Sequence, residues 1–260
     1  MLSWELWGSY YGSALTSLTL GALIAHFILR RPLGDSAIIG FSGGFSNLVL
    51  LGLPITLTYF GNEALSPFFL ILAVHSIIMY SVSTFLVEIA RVKRTGTTQN
   101  TNPKIIRIIW AGLQGMVRNV IILSLVLGII WSQTGFELHD VIKSFLNLLG
   151  RAGIPAALFV MGAMLTQYKL HHSLGAASFI SLFKLVVHPL IAFMLARYVF
   201  ALPTLWVGTI TLMASMLTGI FTFLLANRYP MAQGGASSAI GFSTLLSMVS
   251  IIIVLGLLTP

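Results

Sequence analysis

The stretch from Gly40 to Gly61, GFSGGFSNLVLLGLPITLTYFG, places glycines, serines, an asparagine and a proline inside an apolar part of the chain. Close packing of transmembrane helices accounts for glycine and serine. It does not account for Asn47 together with Pro54, because proline removes a backbone hydrogen bond and frees a carbonyl group. In lipid, irregular backbone is tolerated where it lines a cavity. The stretch therefore predicts a membrane helix that is broken at a binding site.

The composition around this stretch is that of a membrane protein. Of 260 residues, 57% are hydrophobic and 8% are charged, whereas roughly 25% are charged in soluble domains. The long continuous apolar runs predict an all-α polytopic membrane protein. The sequence contains no cysteine, so it offers neither disulfides nor thiolate ligands, and we predict no cofactor and no metal site.

Apolar segments recur along the whole chain. A transmembrane span needs about 20 mostly apolar residues, and about eight segments qualify as transmembrane helices. They are Tyr10–Leu29, Ser36–Phe60, Ser66–Ile89, Asn119–Gln133, Val141–Leu165, Ala176–Val199, Leu205–Asn227 and Ala236–Leu258.

The basic residues fall mainly on one side of these predicted spans. That side receives Arg30, Arg31, Arg91, Lys93, Arg94, Lys104, Arg107, Arg118, Lys169 and Arg228. The opposite side receives Lys143 and Arg197. Because cytoplasmic loops are enriched in Lys and Arg, the first side is predicted to be cytoplasmic and both termini external. The net charge of +8 is explained in this way, and we predict no nucleic-acid partner.

A basic stretch, residues 91–118, divides the chain into two halves. It is predicted to be a cytoplasmic linker followed by an interfacial amphipathic helix that contacts lipid headgroups. Residues 1–90 then hold three predicted spans and residues 119–260 hold five. Each half has one span rich in helix breakers, and an odd number of spans separates the corresponding segments. The pattern predicts an inverted repeat, in which paired interrupted helices form a transporter binding site.

The tetrapeptide GFSG, Gly40–Gly43, has an enzymatic interpretation as well. It matches the Gly-x-Ser-Gly pattern of rhomboid intramembrane serine proteases, with His75 or His188 as the candidate base. A match of this length is weak evidence in a span so rich in glycine and serine. Ser42 also lies near the cytoplasmic start of its span. We therefore predict that the protein is not an enzyme.

Three longer motifs resemble one family of membrane proteins. FSNLVLLGLPITLTYFGNEAL, residues 45–65, resembles the Asn and Gly-hydrophobic-Pro motif of the auxin efflux carrier family. LGRAGIPAALFVMGAML and FKLVVHPLIAF, residues 149–165 and 183–193, resemble two later helices of that family. The resemblance implies a secondary carrier of organic anions, with two five-helix inverted repeats and two broken helices that cross. Cargoes in the family include auxin in plants and malonate-type dicarboxylates in bacteria.

The chain departs from the family pattern in two places. The family has ten spans, and this chain resembles it from the third onward, so residues 1–90 are expected to hold a crossover triplet only. The second crossover of the family carries Pro followed by Asn, whereas this chain has LTGIF, Leu217–Phe221. Both departures suit an alternative interpretation, a shortened or non-transporting membrane subunit.

The motif matches and the polar residues of the spans give a candidate site. The predicted substrate-binding residues are Asn47, Gly52, Pro54, Thr218, Gly219 and Lys184. Lys184 lies mid-span with no acidic residue there to pair with it. It either neutralises the negative ends of the broken half-helices or contacts an anionic substrate. His188, one helical turn further on, and His75 are candidates for a proton relay, with hydrogen-bonded packing as the alternative.

The sequence thus predicts a secondary active transporter or permease for small organic anions of the mono- or dicarboxylate type. Its expected surroundings are the bilayer of the cell inner or plasma membrane, with a homodimer as a candidate assembly. The coupling ion stays open, because the spans contain no buried acid that could carry a proton.

Overall fold

The computed structural model describes residues 4–95, 120–165, 174–219, 221–228 and 233–258. These residues form helices and loops and no β-strand. Four unbroken α-helices are α1 (Trp4–Phe27) and α4 (Leu65–Thr95) in the first half and α5 (Val120–Gln133) and α6 (Asp140–Leu165) in the second. The predicted interfacial helix of the 91–118 stretch lies outside the described residues.

The remaining helices are interrupted or follow an interruption. The first broken span consists of α2 (Leu33–Gly44), a π-helical turn (Leu48–Gly52) and α3 (Leu53–Phe60). The next part comprises α7 (Leu174–Leu182), a π-helical turn (Phe183–Val187), α8 (His188–Met194) and a second π-helical turn (Leu195–Val199). The second broken span is α9 (Thr204–Ala214) with α10 (Phe221–Arg228), and α11 (Gln233–Leu258) follows it.

Helices in every predicted span segment agree with the predicted all-α membrane fold. Among the described residues, three helical stretches are long and apolar enough to cross a bilayer: Asn62–Arg91, Ser178–Val199 and Gly241–Leu258. The broken spans contribute the shorter apolar helices Leu48–Phe60 and Thr204–Ala214. The total of about eight spans stays a prediction.

One loop geometry precedes both broken spans. Arg30, with φ of 53°, stands two residues before Pro32, and Ala201, with φ of 46°, stands two residues before Pro203. In each loop the residue between them donates its N–H back to the preceding helix. The bonds are Arg31 N to Ala25 O and Leu202 N to Ala196 O, both 2.9 Å. Positive φ is uncommon outside glycine, so its recurrence at matching places indicates that the two halves share a backbone plan.

The glycines at the start of the opening stretch serve helix packing. A Cβ atom at Gly44 would lie 2.5 Å from the carbonyl oxygen of Ala14, and one at Gly40 would overlap that of Leu18. Helices α1 and α2 therefore approach each other closely along these two positions. The packing interpretation is sufficient for Gly40 and Gly44, and the binding-site interpretation concerns the residues that follow them.

Helices α5 and α6 differ from the others in exposure. Nearly all their described side chains are exposed, with Leu127 of α5 at 58% and Phe159 of α6 at 77%. Helix α6 contacts the rest of the protein mainly at the π-helical turn Leu48–Gly52 and at α3. Helix α6 thus lies beside the first broken span, apart from the buried core.

Candidate functional site

The two broken spans cross at their breaks and complete each other's backbone hydrogen bonds. Ser46 and Thr218 form an isolated antiparallel bridge. Asn47 N donates to Leu217 O at 2.9 Å, and Gly219 N donates to Phe45 O at 3.3 Å. A buried backbone group without a partner is costly, so each break is stabilised by the other. The predicted crossing of the two interrupted helices is confirmed.

The first break lies at Phe45–Asn47, well before the proline that predicted it. Phe45 adopts an extended conformation and ends α2. The side-chain oxygen of Asn47 then accepts a hydrogen bond from Leu50 N at 3.3 Å and caps the following π-helical turn. Pro54 lies in the first turn of α3, where a missing N–H is tolerated. Asn47 thus acts at the break, whereas Pro54 acts on the start of the outer half-helix.

The second break forms without the proline and asparagine of the family pattern. Helix α9 ends at Ala214, the bridge residue Thr218 donates its backbone N–H to Ser243 Oγ at 3.2 Å, and α10 begins at Phe221. A Cβ atom at Gly219 would overlap the ring of Phe45, so only glycine leaves room for the crossing strand. Thr218 and Gly219 therefore allow the backbone to break and cross here, and their part in substrate binding stays a prediction.

Hydroxyl groups satisfy the C-terminal end of α2. Thr218 Oγ1 donates to Ser42 O at 3.0 Å, and Ser17 Oγ, from α1, donates to Gly43 O at 3.0 Å. All of these groups are buried. The last carbonyls of a helix carry partial negative charge, and here neutral donors stabilise them.

Lys184 donates a hydrogen bond to a carbonyl group at the C-terminal end of the other half-helix, α9. Its Nζ donates to Ala214 O at 3.1 Å, to Ser46 Oγ at 2.6 Å and to His188 Nδ1 at 2.7 Å. Lys184 is fully buried, and an ammonium group has three protons to donate. All three are used by protein atoms, so the side chain links both breaks to each other through Ser46 and Ala214.

Aromatic and imidazole rings fill the space beside this lysine. His75, from α4, stacks on Phe45 with ring centroids 4.7 Å apart and meets the edge of Tyr10 at 5.5 Å. Tyr10 lies 6.2 Å from His188. The Tyr10 hydroxyl and the His75 ring both lie within hydrogen-bonding range of Ser46, whereas His188 Nε2 has no hydrogen-bond partner among the described residues.

The crossover is closed to its surroundings in this conformation. Ser46 is 1% exposed, Asn47 8% and Thr218 0%. A separate groove of about 590 Å³ runs between α8 and α11 and is lined almost wholly by apolar side chains, among them Leu185, Pro189 and Ile253. Neither Lys184 nor His188 lines it. The crossing polar groups of the described residues are therefore nearly inaccessible in this conformation.

Ser42, the serine of the protease-like tetrapeptide GFSG, makes a hydrogen bond within its own helix, α2. Its Oγ donates to Ile38 O at 2.8 Å. Among the described residues, His75 lies within hydrogen-bonding range of the Ser46 backbone, and the side-chain partner of His188 is Lys184. The structure therefore brings together no serine–histidine pair at this motif in the described residues.

Three residues of the crossover had not been singled out from the sequence. Tyr10, Ser17 and Ser46 are ordinary polar residues of apolar spans, and serine is common there as a packing residue. Their positions become informative only when the spans are assembled around Lys184.

The sequence comparisons identify the family with this arrangement. The family described as membrane transport protein matches residues 1–255. This chain belongs to that family. A protein of Rhizobium meliloti (strain 1021) whose name assigns it to malonate transport is 26% identical, over 92% of this chain and 72% of its own length. Auxin efflux carrier component 8 of Arabidopsis thaliana is 24% identical, over 78% of this chain and 65% of its own length.

Membership of the membrane transport protein family confirms the resemblance stated from the motifs and identifies the chain as a multi-pass membrane transporter. Both relatives are named for transport and neither for an enzymatic reaction, in agreement with the prediction that the protein is not an enzyme. The chain spans less than two thirds of the auxin carrier and somewhat more of the bacterial relative.

Proposed function

We propose that this protein is a secondary carrier of small organic anions, of the mono- or dicarboxylate type, and that the crossover is its binding site. The observation that carries the proposal is the fully buried Lys184 at the meeting point of both breaks. All six acidic residues of the chain lie in loops or near helix ends. A buried cation without a carboxylate partner favours an anion as its counter-ion.

The half-helices add to this electrostatic preference. The π-helical turn after Asn47 and helix α10 after Gly219 both begin at the crossing. The start of a helix carries partial positive charge and unpaired N–H groups, which bind anions. In this proposal Asn47, Gly52, Pro54, Thr218 and Gly219 line the site once the crossing opens.

Lys184 has a supporting part in the closed conformation. Its three protons are donated to Ser46, His188 and Ala214, which favours the role of neutralising the half-helix end. Its charge still contributes to the field at the crossing, since electrostatic interactions are strong where water is excluded.

Names of the relatives suggest the class of cargo. One is named for malonate, a dicarboxylate, and the other for auxin. We propose malonate-like dicarboxylates and auxin-like monocarboxylates as the first compounds to test. The alternative is a non-transporting subunit, which the altered LTGIF segment suited. The backbone bridge at Thr218 forms despite that altered segment, which supports the transporter over this alternative.

Movement is proposed to occur between two parts of the chain. The crossover triplets, within residues 1–90 and 174–258, would move against α5 and α6, of which α6 contacts them mainly beside Leu48–Gly52. Rocking of one bundle against another is the usual route to alternating access.

We further propose placement in the cell inner membrane. The charge asymmetry supports a cytoplasmic 91–118 stretch and external termini, and homodimer assembly stays a prediction.

Uptake into proteoliposomes tests this function. We expect saturable uptake of radiolabelled malonate or indole-3-acetate by the purified protein, and a loss of about tenfold or more in apparent affinity for Asn47→Ala. Asn147→Ala changes an exposed asparagine of α6 and serves as the matched control. Normal uptake by folded Asn47→Ala would place the binding site elsewhere, and no uptake of any carboxylate by the wild type would contradict the proposed function.

A further inference from the structure

Lys184 and His188 form a buried hydrogen-bonded pair. Lys184 Nζ lies 2.7 Å from His188 Nδ1. With Lys184 as an ammonium group, which is a donor only, Nδ1 accepts and the ring carries its proton on Nε2. The pair holds one positive charge in this arrangement.

The surroundings of the pair supply no compensating negative charge. Tyr10 faces it from α1 and His75 from α4, while Ser46 contacts Lys184 from the first break. Helices α9 and α11 pack nearby and contain no titratable side chain. A second proton, placed on His188 Nδ1, would face the ammonium group directly in a site that excludes water. Two adjacent cations repel each other strongly there, so the second proton needs an anion beside it.

We propose that binding of an organic anion at the crossover is coupled to uptake of one proton by the Lys184–His188 pair. The proton comes from the aqueous phase and adds to His188 Nδ1, and Lys184 keeps its three protons. The N–H that had pointed at Nδ1 is thereby released and turns toward the carboxylate. The charge of the pair rises by one unit while a monoanion supplies one negative charge, so the filled site carries no more net charge than the empty one.

This inference rests on the proposed function and extends it to the driving force for anion transport. Because Ser46 Oγ accepts from Lys184 while the Ser46 backbone pairs with Thr218, an anion at the crossing lies within Coulomb range of the pair. Coupling between two ligands is reciprocal. Lowering the pH would strengthen anion binding, and an inward proton gradient would drive anion uptake.

His75 is the other imidazole of the cluster, and its contacts differ from those of His188. Its ring is stacked on Phe45, which itself lies against Gly219. His188, in contrast, contacts the lysine that reaches both breaks.

Calorimetric titration of the purified wild-type protein with malonate tests the coupling. Repeating the titration in two buffers with different ionisation enthalpies gives the number of protons taken up per bound anion. We expect about one for the wild type, as the coupling requires. His188→Asn places a carbonyl oxygen where Nδ1 was, so Lys184 keeps an acceptor while the proton site is lost. This variant should bind malonate with uptake near zero.

One matched variant completes the test. His26→Asn removes an imidazole outside the cluster, whose Nδ1 lies 3.0 Å from Arg31 O, and it should retain proton uptake. Malonate binding by the wild type without proton uptake, uptake retained in His188→Asn, or uptake lost in His26→Asn would each overturn the proposal. If neither malonate nor indole-3-acetate binds, that result would instead contradict the proposed function on which this inference rests. If His188→Asn does not fold, wild-type proteoliposomes decide: uptake must respond to an imposed pH gradient.

Discussion

The C-terminal ends of the two inner half-helices, α2 and α9, meet at one crossing but are stabilised by different chemistry. Neutral hydroxyls from Thr218 and Ser17 serve α2, whereas the Lys184 ammonium serves α9. The loops before the two spans share the same positive-φ turn before a proline. The backbone of the repeat is therefore symmetric while its charge is not. A cation on one side only gives the crossing a net positive field, which a symmetric pair of hydroxyl caps would lack.

The outer half-helices differ as well. Asn47 caps the π-helical turn of the first break with its side chain, whereas α10 starts with a backbone bond from Thr222 N to Gly219 O at 3.1 Å. The polar side chain that caps an outer half-helix, Asn47, therefore belongs to the first break. The charged side chain, Lys184, lies beside the second break. The two breaks supply complementary parts of one proposed anion site.

Lys184→Met should have the largest effect on this asymmetric crossing. Hydrogen bonds to a charged donor contribute about 1.5–3 kcal/mol each, and removal of a buried charge offsets part of the loss. We expect a lower melting temperature together with loss of anion uptake, measured by thermal unfolding and in proteoliposomes. Lys143→Met alters an exposed lysine of α6 and is the control. Unchanged stability with lost binding would assign Lys184 to direct contact with the substrate instead.

Gly219→Ala should have an intermediate effect, because the new methyl group would overlap the ring of Phe45. Overpacking of this kind costs typically about 1–3 kcal/mol. The melting temperature and uptake should both fall, and Phe45→Leu in the same chain should restore part of the loss. Gly128→Ala, in α5, meets no neighbouring atom within 4 Å and should be silent. Absence of any difference between the two alanine variants would mean that the crossing strand tolerates displacement.

Residue chemistry predicted the broken helices, and the family resemblance predicted their crossing, but neither predicted their detail. Asn47 and Pro54 revealed the first break because both are unsuited to lipid-facing helix. The break nevertheless falls at Phe45–Asn47, since its position depends on pairing with Leu217–Gly219, far away in the chain. Arg30 and Ala201 gave no signal of their positive φ, because neither is the glycine that such positions favour. The caps formed by Ser17 and Lys184 become apparent only when the helices are assembled.

Ser17→Ala should have the smallest effect on stability. It tests directly whether the hydroxyl cap of α2 differs in function from the ammonium cap of α9. Ser17 is fully buried, and its hydroxyl makes one neutral hydrogen bond, to Gly43 O across the α1–α2 contact. A single bond of this type contributes about 1 kcal/mol, and alanine leaves almost no cavity. The melting temperature should therefore fall slightly, with anion affinity unchanged, because no charge is lost near the crossing.

Ser13→Ala is the matched control for this variant. Ser13 lies one turn earlier on the same helix, is equally buried, and donates to Tyr10 O of its own helix. It should destabilise the protein less than Ser17→Ala, since its bond does not join two helices. If Ser17→Ala lowered stability and uptake as much as Lys184→Met, the hydroxyl and ammonium caps would be equivalent in function. The positive field at the crossing would then depend on the half-helix starts, and the lysine would serve only as one more hydrogen-bond donor.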